Sequence, residues 1–238
     1  MSQKEKVFAL LMFGGIGSRF GWDKPKQFYV IDEIRNKTLL EFVVEKFVNF
    51  KLFDRIIIVC PENYLSESKT LLSDYINLVD FVTGGGTREH SVWNGLNFLK
   101  DLAGQEDIVV IHDGARPLVS KKIVQQNIEA ARGYGAVVTA INTTETVSYS
   151  EDGSKVDEII PRSKVFIHQT PQSFKYHLIK SAMESQLDSL HLFTDEASIV
   201  LNAGHDVYYV TGSRLNLKVT TMEDMIFLKR HLEDDSLI

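Results

Sequence analysis

The sequence contains very little cysteine, since Cys60 is the one cysteine among 238 residues. This scarcity excludes an intrachain disulfide, and it also excludes a zinc site built from cysteines. Cys60 ends an apolar run that begins at residue 56, and a small apolar side chain at such a position is typical of a buried strand. We therefore expect Cys60 to pack in the core without a chemical role.

An excess of positive charge is also absent, because 26 Lys and Arg face 32 Asp and Glu and give a net charge of -6. Proteins that coat nucleic acid or bind an anionic membrane need a basic face, so neither is an expected partner. Long hydrophobic runs are missing too. The N-terminal apolar run covers only residues 7–13, which is too short for a signal peptide core or a membrane span. We expect a cytoplasmic protein.

Repeats, low-complexity tracts and linkers are missing as well, so we expect residues 1–238 to form one domain. Short apolar runs alternate with stretches of helical spacing, which predicts βαβ units and a Rossmann-like α/β fold with a mostly parallel sheet and flanking helices. The predicted strands are 7–13, 55–60, 78–83, 107–112 and 136–141, and the predicted helices are 38–50, 64–75, 89–102 and 120–132.

The pattern changes at about residues 142–164, where residues with high β-propensity flank a turn at 151–153. This segment is predicted to be a protruding β-arm. Helical spacing returns at 172–187, 194–203 and 222–232, with a strand expected at 207–211.

Polar and glycine-rich segments follow the predicted strands that end near residues 13, 83 and 112. Ligands of parallel sheets bind beyond the carboxyl ends of the strands, so these three loops are expected to form one site.

The loop after the first strand contains Gly14, Gly15 and Gly17, and such glycines let backbone N–H groups approach phosphate oxygens closely. A dinucleotide-binding fingerprint does not fit, because its third glycine position is Phe20 and the second strand ends in Cys60 instead of an acidic residue. A phosphate-binding P-loop does not fit either, since no Gly-Lys-Ser/Thr follows. These mismatches leave a phosphate-binding loop of another kind.

Three cations lie close to that loop in the sequence, namely Arg19, Lys24 and Lys26. In an acidic protein such a group favours a triphosphate ligand, whose charge must be neutralised before a nucleophile can attack. The fourth strand is followed by Asp113 and Arg116, which suit Mg²⁺ and a phosphate respectively.

Seven short motifs occur in a family-specific order: GGIGSR, PKQF, GGGTREHSV, HDGARP, QTPQSF, TDEAS and NLKVTT. In this order they resemble the 2-C-methyl-D-erythritol 4-phosphate cytidylyltransferases and the related ribitol-5-phosphate cytidylyltransferases. The resemblance covers about residues 7–232. It implies a nucleotidyltransferase that uses CTP, a small polyol phosphate and Mg²⁺ or another divalent cation, and that dimerises through the β-arm.

The resemblance also implies roles for individual residues. Catalytic roles would fall to Arg19, Lys26 and Lys218. The nucleotide would be bound by Gly14, Gly15, Gly17, Gly85, Arg88, Ser91 and Gly114. The substrate would be bound by Asp113, Arg116, Thr146, Arg162, Thr170 and Thr194, with Asp113 also a candidate for the metal.

The acceptor stays open between two classes. The start of the glycine loop is nearer to the ribitol type, and Glu145 and Ser148 in the arm depart from the usual pattern. In contrast, TDEAS and RSKVFIHQTPQ resemble the erythritol type. We expect methylerythritol phosphate, with ribitol phosphate or another pentitol phosphate as the alternative. A nucleotide-binding regulator without turnover is a further alternative, because fold does not determine function.

Overall fold

The computed structural model describes residues 5–14, 24–33 and 35–233. At its centre lies a seven-stranded sheet in the order β11-β7-β10-β6-β1-β4-β5. The strands are β1 (Val7–Met12), β2 (Val30–Asp32), β3 (Lys37–Thr38), β4 (Arg55–Cys60), β5 (Val79–Thr83), β6 (Ile108–Asp113), β7 (Ala136–Asn142), β8 (Val147–Tyr149), β9 (Glu158–Ile160), β10 (Phe166–Lys175) and β11 (Tyr208–Thr211).

The central strands β1, β4 and β6 are mostly apolar and buried, as expected for a sheet that helices cover on both faces. β1 pairs in parallel with β4 and with β6, and all six of its residues are buried. Cys60 is 1% exposed at the end of β4, which confirms the expectation of a core residue. This arrangement confirms the predicted α/β fold with a mostly parallel sheet.

The helices of the described part of the chain follow the strands in sequence. They are α1 (Leu39–Phe50), α2 (Leu65–Leu71), α3 (Arg88–Phe98), α4 (Lys121–Tyr134), α5 (Tyr176–Glu184), α6 (Glu196–Asn202) and α7 (Met222–Glu233). Short 3-10 turns lie at Lys26–Phe28, Glu62–Tyr64, Ser73–Tyr75, Leu99–Asp101, Arg162–Lys164 and Leu187–Leu192. Among the described residues, no helix is long and apolar enough to cross a bilayer.

Local sequence explains where several helices begin. The side chain of Thr38 accepts a hydrogen bond from the backbone of Glu41, whose own carboxylate accepts one from the backbone of Thr38. This capping box satisfies backbone donors that the first turn of α1 leaves without partners. The side chain of Ser120 caps α4 by accepting a hydrogen bond from the backbone N–H of Ile123.

The predicted helix at 172–187 is wrong in its first four residues. Residues 172–175 belong to β10, which runs antiparallel between β6 and β7, and the helix begins only at Tyr176. Gln172 and Ser173 pair with both neighbouring strands, and Phe174 is fully buried in the core. These tertiary contacts override the helical spacing of the apolar residues.

The predicted arm contains a two-stranded antiparallel hairpin of β8 and β9. Its strands are short and mostly exposed, and they form a separate sheet outside the central one. A second small hairpin, β2 with β3, was not predicted, because each of its strands is only two or three residues long.

Candidate active site

A cavity of about 300 Å³ opens at the carboxyl ends of β1, β5 and β6. The described residues that directly follow these three strands therefore meet, as expected for a parallel sheet. Eight of the residues predicted from the sequence line it: Gly14, Lys26, Gly85, Arg88, Ser91, Asp113, Gly114 and Lys218.

A second cavity of about 240 Å³ adjoins the first, because Arg88, Asp113 and Lys218 line both. Its remaining lining comes from the loop after β6, from β10 and from the start of α6. These residues are Arg116, His168, Gln169, Thr170, Gln172, Thr194 and Asp195. The two cavities thus form a continuous polar site around three shared charged side chains.

Asp113 is the centre of that charge cluster. Lys218 Nζ lies 2.8 Å from Asp113 Oδ2, and Arg88 Nε lies 3.0 Å from Asp113 Oδ1. Arg116 Nε is 3.9 Å from Oδ2. Burial by itself raises the pKa of the Asp113 carboxyl, but the Arg88 and Lys218 cations outweigh burial and hold that pKa well below its ordinary value. Asp113 is therefore ionised throughout the physiological range.

Arg88 is held by a second carboxylate that sequence reasoning missed. Its Nη1 and Nη2 atoms lie 2.6 and 3.1 Å from the two carboxylate oxygens of Glu196, whose side chain is fully buried. Burial alone lowers the pKa of Arg88, but Glu196 and Asp113 together raise it well above its ordinary value. Arg88 is thus a fixed cation between two acids, 108 residues from one of them in sequence.

Lys26 and Lys218 come from opposite ends of the chain and reach the same cavity. Lys26 Nζ donates a hydrogen bond of 2.6 Å to the carbonyl of Val219, the residue that follows Lys218. The neighbouring Gln27 is buried and donates to the carbonyl of Phe13 at the end of β1. These two contacts hold the segment that contains Lys26 against the sheet.

Ser91 shapes the glycine turn after β5. Its hydroxyl accepts a hydrogen bond from Gly85 N at 3.0 Å and donates to Thr87 O at 2.8 Å. Gly14 also lies against this hydroxyl, since a Cβ added to Gly14 would be 3.2 Å from Ser91 Oγ. Ser91 thus holds the turn after β5 by hydrogen bonds and packs beside Gly14 at the end of β1.

Gly114 is needed for close packing beside the cavity. A Cβ at this position would lie 2.2 Å from the ring of Phe13, which is itself buried. A side chain at residue 114 would therefore displace the ring that follows β1.

Thr170 and His112 form a buried hydrogen-bond chain under Asp113. Nε2 of His112 is 3.1 Å from the carbonyl of Arg116, which can only accept, so Nε2 carries the proton. Nδ1 then accepts from the hydroxyl of Thr170 at 3.1 Å, and that hydroxyl accepts from Asp113 N at 3.0 Å. Burial lowers the pKa of His112 to about 4 and keeps the ring neutral. The hydroxyl proton of Thr170 is therefore donated to His112 within the protein.

Arg116 lines the second cavity and does not use all of its hydrogen-bond donors within the described residues. Its side chain is 11% exposed, and Nη1 donates to the carbonyl of Asn216 at 2.8 Å. Its Nε atom is buried and makes no hydrogen bond within the described residues. Asn216, which sequence reasoning missed, is fully buried and also donates to Thr170 O, so it fixes two neighbouring parts of the site.

The remaining predicted residues fall into three groups. Thr194 lines the second cavity. Thr146 and Arg162 lie in the arm and line neither cavity, and Arg162 donates instead to the carbonyl of Thr144 at 3.1 Å. Gly15, Gly17 and Arg19 lie outside the described residues.

Metal-binding side chains do not cluster in the described ranges: no three His, Cys, Asp or Glu residues there lie close enough to hold an ion. Asp113 and Asp195 are the carboxylates that line the two cavities. The described residues provide no ready-made metal cage at this site.

Three site residues that the sequence did not reveal, Gln172, Asp195 and Glu196, contact other residues of the site. Gln172 and Asp195 contact each other, with Gln172 Nε2 3.0 Å from Asp195 Oδ2, and Glu196 holds Arg88. The adjacent acids Asp195 and Glu196 are visible in the TDEAS motif. Their partners Gln172 and Arg88, however, lie 23 and 108 residues away in the sequence.

A cation-rich cavity at the end of a mostly parallel sheet, adjoining a second polar cavity, is typical of an α/β nucleotidyltransferase. Comparison with known proteins specifies the family. The model of the 2-C-methyl-D-erythritol 4-phosphate cytidylyltransferase family matches residues 7–233, and the chain belongs to this family. This match confirms the resemblance that the seven sequence motifs indicated.

Individual relatives agree with the family model. The chain is 44% identical to the 2-C-methyl-D-erythritol 4-phosphate cytidylyltransferase of Thermosipho melanesiensis over 92% of this chain and 95% of that protein. It is 39% identical to that of Thermosipho africanus over the same shares. The crystal structure of 4-diphosphocytidyl-2C-methyl-D-erythritol synthase from Anaerococcus prevotii superposes with a TM-score of 0.83 at 30% identity and covers 96% of each chain.

Proposed function

We propose that this chain transfers the cytidylyl group of CTP to 2-C-methyl-D-erythritol 4-phosphate and releases pyrophosphate. One observation carries the proposal beyond family membership: two adjoining cavities share Arg88, Asp113 and Lys218. A transfer between two phosphorylated ligands needs such an arrangement, because both anions must be held side by side around common charges.

The nucleotide is proposed to occupy the first cavity. The loops at Gly14 and Gly85 present backbone groups to it, and Lys26 and Lys218 supply positive charge. Gly15, Gly17 and Arg19 continue the same glycine-rich segment in sequence, and we assign them to the triphosphate on that basis. Ser91 acts through the loop it holds, since its hydroxyl already bonds Gly85 and Thr87.

The polyol phosphate is proposed to occupy the second cavity. There its phosphate lies between Arg116 and Lys218, whose positive charges attract it. An oxygen of this phosphate attacks the α-phosphorus of CTP in line with the departing pyrophosphate. A phosphate monoester is already anionic near neutral pH, so the side chains need only position it and neutralise charge. Thr170 contributes by fixing the backbone of Asp113.

A divalent cation fits this site as a partner of the phosphates. Mg²⁺ takes few protein ligands and keeps phosphate and water oxygens, so one carboxylate is sufficient. Asp113 lines both cavities and is the residue that would hold it. When bound, the ion would supply positive charge that helps to neutralise the phosphates. We expect EDTA to abolish turnover and added MgCl₂ to restore it; undiminished activity in EDTA would contradict a metal requirement.

The test is a panel of nucleotides and acceptors assayed by pyrophosphate release. CTP with 2-C-methyl-D-erythritol 4-phosphate is expected to turn over, and ATP and GTP are expected to be poor because the glycine-lined cavity suits a pyrimidine. Ribitol 5-phosphate tests the alternative acceptor in the same assay. Equal turnover with ATP would contradict the cytidylyl assignment, and binding of CTP without pyrophosphate release for any acceptor would support a regulator.

A further inference from the structure

His168 and Asp195 form a pair in the second cavity that the mechanism above does not use. His168 Nδ1 is 2.7 Å from Asp195 Oδ2, and the histidine side chain is 33% exposed. Both residues line the cavity beside Arg116 and Thr194. The His168 side chain therefore lines the cavity proposed for the acceptor, and its contact with Asp195 holds the ring in place.

Asp195 is held as an ionised acceptor. It accepts from Gln172 Nε2 at 3.0 Å and, through Oδ1, from Ser198 N at 2.9 Å at the start of α6. Although burial alone raises the pKa of Asp195, the hydrogen bonds from His168 and Ser198 lower it well below its ordinary value. Since this carboxylate can only accept, His168 must donate through Nδ1, and Nε2 is the ring nitrogen left for a ligand.

The charges divide the second cavity into two kinds of surface. Arg88, Arg116 and Lys218 attract a phosphate, with Asp113 among them. The negative charge of Asp195 makes the His168 side less favourable for a phosphate, because the His168–Asp195 pair carries no net positive charge in either state of the ring. A hydroxyl is suited to this side, since it can donate to a neutral Nε2 or accept from a protonated one.

We propose that His168 binds a hydroxyl of the acceptor through Nε2 and so selects a polyol chain attached to the phosphate. This inference rests on the proposed function, because it assumes that the second cavity holds the acceptor. It assigns His168 a direct contact with substrate and gives Asp195 a positioning role.

Two amide substitutions separate contact from support. In His168→Asn the amide nitrogen takes the place of Nδ1 and keeps the bond to Asp195, but nothing replaces Nε2. In His168→Gln the amide nitrogen reaches the place of Nε2. We expect His168→Asn to raise the KM for the polyol phosphate about 3- to 10-fold, as for one lost neutral hydrogen bond, and His168→Gln to recover part of it. The KM for CTP and the Tm of His168→Asn should stay close to wild type.

Inorganic phosphate provides a ligand without hydroxyls. Its inhibition constant against the polyol phosphate should be the same for wild type and His168→Asn, because only the cationic side binds it. His191→Asn, at an exposed position on the Leu187–Leu192 turn, is the matched control and should keep wild-type values throughout.

The outcomes distinguish this inference from the proposed function. A wild-type KM in His168→Asn, or an equal weakening of inorganic phosphate, overturns the role of His168 while leaving the transferase standing. If the wild type uses a different polyol phosphate, the same comparison applies to that acceptor. If calorimetry detects no binding of any polyol phosphate to the wild type with CTP present, both proposals fail.

Discussion

A single carboxylate organises the cations of the site. Asp113 is 7% exposed and has Lys218, Arg88 and Arg116 around it at 2.8, 3.0 and 3.9 Å. Three cations crowded together repel one another, and the buried negative charge offsets that repulsion before any ligand arrives. Asp113 therefore holds the three cations close together.

The first prediction concerns the two lysines of the first cavity. Lys26→Ala and Lys218→Ala should each lower kcat by roughly 10²-fold or more, because each removes charge that stabilises the transition state. Steady-state kinetics with saturating CTP and acceptor measures the effect. Lys122→Ala, at an exposed position on α4, serves as the control. Full activity of Lys26→Ala would refute the assignment of this lysine to the phosphates.

The second prediction concerns acid stability. His112 is neutral in the folded protein with a pKa of about 4, against 6.5 ordinarily, so the unfolded chain binds the extra proton first. Folded stability should therefore fall as the pH drops from 6.5 towards 4, by up to about 3 kcal/mol for this group. Urea unfolding at pH 7.5 and pH 5.0 should show a smaller loss for His112→Gln than for wild type.

Other buried groups do not obscure that comparison. The lowered pKa of Asp113 affects stability only below its ordinary value of 3.8. Burial raises the pKa of Glu196, which acts in the opposite direction but equally in both proteins. His205→Gln, at an exposed position, should retain the wild-type pH dependence. An identical acid loss in His112→Gln and wild type would contradict the prediction.

At the scale of elements, the turn between β5 and α3 shows how a loop becomes a cavity wall. Gly85 lies so close to α3 that an added Cβ would be 2.5 Å from His90 Cβ and 2.9 Å from its carbonyl carbon. The next glycine, Gly86, has no atom within 4 Å of such a Cβ. Neither glycine has the positive φ that favours glycine. The two positions therefore differ in how much room they leave for an added Cβ.

These neighbours make a matched pair for the third prediction. Gly85→Ala should lower the free energy of unfolding by about 1–3 kcal/mol, because the overlap forces the backbone of the turn away from His90. Gly86→Ala should change it by less than about 0.5 kcal/mol, since the added methyl meets open space. Thermal and urea unfolding without ligand measures both. Equal free energies of unfolding for the two variants would contradict the prediction, because the turn would then accommodate a Cβ at residue 85 without loss of stability.

Sequence patterns predicted the parallel strands well because buried runs such as residues 55–60 have no other stable environment. They predicted β10 poorly, since its central residues gain strand partners on both sides only when β6 and β7 are already in place. The same limit applies to the site. Site residues at the ends of strands could be predicted from the sequence. Glu196 and Asn216 could not, because their partners Arg88 and Thr170 lie 108 and 46 residues away, and local sequence patterns do not show contacts over such separations.

At the scale of the whole molecule, the arm is the part that lacks its own core. Its hairpin pairs only three residues on each strand, and Tyr149, Val156 and Ile159 are 53%, 62% and 57% exposed. An isolated two-stranded hairpin is marginally stable in water, so we infer that a second copy of the chain covers this surface. Arg162 of one copy would then complete the cavity of the other.

The fourth prediction tests this shared site by complementation. Lys26→Ala and Arg162→Ala homodimers should each be nearly inactive. A mixed dimer has one site with both lesions and one with neither, so it should recover about half of the wild-type activity. Co-expression with two affinity tags isolates the mixed species. If Arg162 serves its own chain, every site carries one lesion and the mixed dimer stays inactive; a monomer by light scattering would also contradict the model.

The hydrogen bond from Lys26 to Val219 joins residues 193 positions apart, so the first cavity is complete only when both segments are in place. During synthesis, the strands β1, β4, β5 and β6 leave the ribosome long before the segment that contains Lys218. A nascent chain can therefore assemble the middle of its sheet while the cavity still lacks one of its cations. Catalytic competence therefore requires that the segment containing Lys218 has folded against the segment that contains Lys26.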